Sequence, residues 1–157
     1  MTVLWILLGV GVLGITTLLL ESIREGRDFV ITHYRIPSLK HEIISDGASE
    51  VPLKAILITD LHDKEYGVKN EKLVEAVGAT KPDMILIAGD MIIAKNSRTP
   101  DVALNLIGEL SKIAPIYYGN GNHEQRVKED IEKFGEAYER YRESLRDRGV
   151  HVLENDT

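Results

Sequence analysis

Asp60 and His62 stand two residues apart in Thr59-Asp60-Leu61-His62, so a carboxylate and an imidazole can converge on one ion. Further along, Gly89-Asp90 supplies a second carboxylate, and Gly121-Asn122-His123-Glu124 supplies an amide oxygen and another imidazole. Carboxylate, imidazole and amide oxygen make a ligand set for divalent metals, and the Asp60–His62 pair suits Mn, Fe or Zn better than Mg alone. The two oxygens of Asp90 can bind separate ions, and Gly89 lets the backbone approach closely. Asn122 can give its amide oxygen to a metal. His123 beside it can reach substrate as a proton donor or a charge stabiliser. The chemistry suggested is metal-assisted hydrolysis. Each motif alone is short: Asp-x-His also describes a turn cap with a surface histidine, and Gly-Asp also describes a strand-to-loop turn.

Each motif follows an apolar, strand-like run: Ala55–Thr59, Met84–Ala88 and Pro115–Tyr118. In an open α/β sheet the carboxyl ends of the strands share one edge, where ligands bind. Continuous apolar strands predict a parallel sheet covered on both faces. Helices are expected between them. One runs around Asn70–Thr80, with Asn70 as a cap-type residue, Leu73, Val74 and Val77 on one face, and Pro82 as the stop. A second starts at Thr99-Pro100-Asp101, with cap, proline at the first position and acid in the first turn, and buries Leu106, Leu110 and Ile113. A long third helix, about Val127 to Arg148, buries Ile131, Phe134, Tyr138, Tyr141 and Leu145 and ends at Gly149. Four-apart pairs Glu129–Lys133 and Glu136–Arg140 support it. Val150–Leu153 begins a fourth strand. Upstream, Phe29–Ile36 reads as a strand ended by Pro37, and residues 38–53 as a loop with an Asp46-Gly47 turn.

The N-terminal stretch from Thr2 to Leu20 carries no Lys, Arg, Asp or Glu. As a helix it would span roughly 30 Å, one hydrocarbon core. It lacks the basic start and small-residue cleavage site of a signal peptide. The expectation is a single-pass membrane anchor. Arg24, Arg27 and Arg35 follow it and no basic residue precedes it, which places the soluble domain in the cytoplasm. The expected division is an anchor over 1–24, a linker and edge strand over 25–53, and a domain over 54–157.

Asp-x-His, Gly-Asp and Gly-Asn-His-Glu, in that order and each closing a strand, resemble the motifs of the calcineurin-like metallophosphoesterase superfamily. The stretch from Ile58 to Gly67, with the N-terminal apolar run and Val30-Ile31-Thr32-His33-Tyr34, resembles its membrane-anchored bacterial branch. The resemblance implies an α/β fold: an N-terminal transmembrane helix, then the first half of a metallophosphoesterase β-sandwich flanked by helices. It implies a phosphoric ester hydrolase, phosphodiesterase-like, with two-metal hydroxide attack on phosphorus. Asp60 and His62 would hold the first metal, Asp90 would bridge both, Asn122 would hold the second, and His123 would be the catalytic residue that assists the leaving group or stabilises the transition state.

This sequence departs from the family at three places. Asp63 stands where that branch usually has Asn. No further Asp follows Gly89-Asp90 in Met91-Ile92-Ile93-Ala94. The later Gly-His and Gly-His-x-His motifs, which complete both metals, have no counterpart. His33 and His41 precede the sheet, and His151 sits in a strand-like run. The chain thus resembles an N-terminal half, with the second metal incompletely ligated and an apolar sheet face left open. The expected partners are a phosphoester substrate, lipid-linked or from the cell envelope, and the membrane.

With 157 residues and a formal net charge of −6, the chain is long enough for one small cored domain. Its acidity argues against a nucleic-acid surface. No Gly-x-Gly-x-x-Gly or phosphate-binding Gly-Lys loop is present, which argues against a generic nucleotide binder. The alternative function is a catalytically inactive, membrane-tethered interaction or regulatory protein that keeps half a metal site.

Overall fold

The computed structural model describes residues 2–25, 28–36, 52–95 and 100–154. Arg27, Pro37, His41, the Asp46-Gly47 turn, most of the 38–53 loop and the Thr99 cap lie outside the described residues. The chain divides into two compact units, Met1–Asp46 and Gly47–Thr157.

In the first unit, α1 (Thr2–Glu25) forms where the anchor is expected. Among the described residues, however, no helix is long and apolar enough to cross a membrane. A span needs about 20 predominantly apolar residues. The described part of α1 is diluted by Gly9, Gly11 and Gly14 and by Thr16 and Thr17, and it carries Glu21. The threonine hydroxyls donate back to the carbonyls of Val12 and Leu13 at 2.8 and 2.9 Å. The transmembrane anchor, the single-pass localisation and the orientation built on it are therefore corrected. The strand expected over Phe29–Ile36 is absent too. Residues 28–36 are irregular, and Val30, Tyr34 and Ile36 are all more than four-fifths exposed. A strand without a ladder partner has nothing to satisfy its backbone.

The second unit alternates strands and helices as expected. β1 (Ala55–Ile58), β2 (Met84–Ile87), β3 (Ile116–Gly119) and β4 (His151–Leu153) form one sheet in the order β1-β2-β3-β4, with every pair parallel. The described residues thus build a single sheet rather than a sandwich. Between the strands lie α2 (Glu71–Thr80), α3 (Asp101–Leu110), and the consecutive helices α4 (Asn122–Glu129), α5 (Ile131–Phe134) and α6 (Ala137–Arg146).

Parallel crossovers are right-handed, and here each steps one strand in the same direction, so the helices gather on one face. Burial follows that geometry. Ile85, Ile87, Ile116 and Tyr118 are buried on the helix side, with Ile56, Ile58 and Val152 packed against them. On the other side, Leu57 is 67% and Leu153 58% exposed. The expectation of a sheet covered on both faces fails for this reason, and the open apolar face expected from the family comparison is present among the described residues.

Three helical expectations also change. The single helix from Val127 to Arg148 is three. Asp130 leaves helical geometry at φ −90°, ψ 68° and accepts from the Lys133 N–H at 3.1 Å, and Gly135 adopts φ 57°. The break leaves Ile131 68% exposed and separates Glu129 from Lys133, while Phe134, Tyr138, Tyr141 and Leu145 are buried as expected. Gly149 ends the segment at φ 74°, its N–H donating to the Arg146 carbonyl. Asn70 stands at the start of α2 but makes no cap hydrogen bond. It is buried, at φ 63°, and its Oδ1 accepts from the Tyr66 N–H at 2.8 Å. Pro100 precedes α3 rather than opening it.

Candidate metal centre

The loops that follow β1 and β2 are laced together by backbone, and the loop after β3 joins them through the Glu124 and Asp90 side chains. Asp60 N–H donates to the Gly89 carbonyl at 3.2 Å, His62 N–H to Asp90 at 3.0 Å, and Asp63 N–H to Met91 at 3.0 Å. Two glycines permit this approach. A Cβ on Gly89, whose φ is 83°, would overlap the Gly121 backbone, and a Cβ on Gly121 would overlap Asp90. Asp60, His62, Asp63 and Asp90 all have φ between 49° and 57°, the left-handed region that non-glycine residues rarely adopt. Such strain gathers where function over-determines the backbone.

Glu124 is the keystone of the loops. It lies at the third position of α4 and is fully buried. Its carboxylate accepts from the N–H groups of Asp90 (2.9 Å), Met91 (3.0 Å) and Gly121 (3.0 Å), and from the Tyr118 hydroxyl (2.7 Å). The Tyr118 and Tyr141 hydroxyls lie 3.0 Å apart, and burial raises the pKa of both, which keeps them protonated. In sequence, Glu124 reads only as a residue near a helix start. The signal that could have found it is its place three residues after Gly121, the spacing at which a helix-opening carboxylate reaches back to the backbone.

Within this frame, one donor atom each from Asp60, His62 and Asp90 lies within 4.8 Å of the others. His62 Nε2 sits 3.4 Å from Asp60 Oδ1, and the Thr59 hydroxyl donates to Asp60 Oδ2 at 2.7 Å. Asp90 Oδ1 accepts from the His123 N–H at 2.8 Å, which lays the Asn122–His123 peptide against the cluster. The His123 ring meets the His62 ring edge-on, with centroids 4.8 Å apart. Asn122 opens α4 with its side chain exposed. His33, proposed for nothing in the sequence, is exposed outside the domain, and His151 stacks on Tyr117 in the sheet.

Asp63 has a different task from the motif residues. Its Oδ2 accepts from the Ile93 N–H at 3.1 Å, while Oδ1 is buried without a hydrogen-bond partner. Burial raises its pKa, against the lowering effect of the Ile93 hydrogen bond. This clamp occupies the loop where the family's further aspartate is missing.

Two carboxylates and an imidazole converging at the carboxyl edge of a parallel sheet fit a divalent metal. Residues 53–155 match the family model described as calcineurin-like phosphoesterase. The chain belongs to the calcineurin-like phosphoesterase family. It is also similar to Phosphodiesterase YaeI of Escherichia coli (strain K12), with 25% identity over 113 residues, 68% of this chain and 42% of that protein. The chain therefore spans less than half the length of that relative. Calcineurin-like phosphoesterases act through divalent metals, and the Asp60–His62–Asp90 cluster is a partial site of that kind.

Proposed function

We propose that this chain carries the metal-binding half of a phosphodiester-hydrolysing centre. Asp60 and His62 would hold a first divalent ion, and Asp90 and Asn122 would serve a second, Asn122 through its amide oxygen. Mn, Fe and Zn suit this mixed oxygen and nitrogen set. The ions, when bound, would supply Lewis acidity and activate water. The chain's own residues fix the geometry. Glu124 holds the Asp90 and Gly121 amides in place, and Asp90 in turn orients the start of α4 through the His123 N–H. His123, whose ring lies against that of His62, would steady charge on the phosphoryl oxygens of a bound substrate. The observation that carries this reading is the convergence of the three donor groups within 4.8 Å in a chain whose residues 53–155 match the family.

The substrate class is a phosphoester. The lipid-linked or cell-envelope substrate rested on the anchor, and no described helix supports it. The test is Mn²⁺-dependent hydrolysis of a chromogenic phosphodiester, with and without a chelator. The reading expects activity that a chelator abolishes and that Asp90→Asn lowers by about 10–100-fold, by analogy with the loss on removing a metal-positioning group. Activity that survives Asp90→Asn would sink the metal mechanism. Metal binding without any hydrolysis would favour the second reading, an interaction protein that keeps a partial site, which the chain's 42% coverage of its relative makes worth separating.

A further inference from the structure

We infer that His123 is held as the Nε2–H tautomer by the Ala94 amide, and that Asp63 is the residue that positions it. The inference rests on the proposed phosphodiester-hydrolysing centre and deepens it. The Ala94 backbone N–H lies 2.9 Å from His123 Nδ1. A backbone N–H can only donate, so Nδ1 must accept and carries no proton. The single proton of the neutral ring is then on Nε2, on the side of the ring away from the loop.

Ala94 is delivered by its neighbours. Asp63 grips the loop at two points: its N–H donates to the Met91 carbonyl at 3.0 Å, and its Oδ2 accepts from the Ile93 N–H at 3.1 Å. The next amide in the chain is the one on His123. A carboxylate retained with one oxygen buried and unpartnered is costly, and the loop clamp is what its other oxygen achieves. Glu124 fixes the near end of the same loop at Met91 N–H.

The consequence bears on the role of His123. A neutral ring that surrendered its only proton would become an imidazolate. His123 therefore donates a hydrogen bond from Nε2 to a phosphoryl or leaving-group oxygen, as neutral histidine electrophiles do. Asp63 touches no substrate. It acts through the Met91–Ala94 loop.

The experiment is ¹⁵N NMR on the metal-free chain at a pH where imidazole is neutral. Expected are a through-hydrogen-bond ¹⁵N–¹⁵N coupling between Ala94 N and His123 Nδ1, and a proton bonded to Nε2. A proton on Nδ1, or no coupling with rapid exchange of the Ala94 amide, overturns the inference. Asp63→Ala should abolish the coupling, and Asp63→Asn should restore it because its amide oxygen can accept the Ile93 N–H. Coupling that persists in a folded Asp63→Ala chain overturns the positioning role. The wild-type readout stands even where that variant does not fold. Mn²⁺ added to the same sample should broaden the His62 ring signals. Absence of broadening with the tautomer intact refutes the metal reading alone, and broadening with the wrong tautomer refutes this inference alone.

Discussion

Three backbone N–H groups and the Tyr118 hydroxyl converge on the Glu124 carboxylate, and of these four donors the hydroxyl alone has a second neighbour, the Tyr141 hydroxyl at 3.0 Å. Removing a buried acceptor costs more than its bonds are worth, because the donors stay desolvated. Glu124→Ala should lower stability by about 3–5 kcal/mol, the range for breaking a buried charged network. Glu124→Gln, which keeps one acceptor oxygen, should recover part of that loss, and chemical denaturation of the three proteins measures both. At this scale the sequence showed its chemistry unevenly. Asp60, His62, Asp90, Asn122 and His123 announce themselves because each follows an apolar run. Glu124 and Asp63 do not, because their partners are backbone amides in a distant loop, and a backbone amide leaves no mark in a sequence.

The loops hold together only where a side chain is absent. Gly89→Ala and Gly121→Ala would each drive a Cβ into the opposing loop backbone. Each should cost about 3 kcal/mol or more, the upper end of what forcing extra atoms into a packed site costs. Gly135 has open space around its missing Cβ but sits at φ 57°, ψ −133°, so Gly135→Ala meets backbone strain alone and should cost about 1–3 kcal/mol. Thermal unfolding of the three variants tests the contrast. The end of β4 is tied down by a different element contact. Glu154 accepts from the Tyr138 hydroxyl at 2.6 Å and pairs with Lys128 at 2.9 Å and Arg142 at 3.0 Å. The Tyr138 hydrogen bond, then the Lys128 one, lowers its pKa from 4.5 to about 2. A depressed carboxylate stabilises the fold above its unfolded pKa, and that contribution is lost as pH falls from 4.5 to about 2. Glu154→Gln should cost about 2 kcal/mol at neutral pH, in line with hydrogen bonds to a charged group. The difference from the parent chain should shrink through that acid window, as urea titrations at several pH values would show. The helices were legible in outline. The break at Asp130 and Gly135 was not, because Phe134, Tyr138, Tyr141 and Leu145 keep a helical period across it.

The architecture of the second unit follows from strand order. Successive right-handed crossovers place the helices on one side, and the row Leu57, Leu86, Tyr117, His151 runs across the other. Ile85→Ala, on the helix side, should cost about 2–5 kcal/mol. Leu57→Thr should cost less than about 0.5 kcal/mol, as exposed positions do, and should reduce binding of an apolar dye. Denaturation and dye fluorescence together separate the faces. The alternation of strand and helix was readable from periodicity alone. The anchor was not: among the described residues no helix is long and apolar enough to cross a membrane. The central claim, that Asp60, His62 and Asp90 make one metal centre, is tested most directly by calorimetric titration of the chain with Mn²⁺ beside Asp60→Asn and Asp90→Asn. Saturable binding that each substitution weakens tenfold or more is the predicted result. Equal binding by all three proteins, or none by the parent chain, would contradict it.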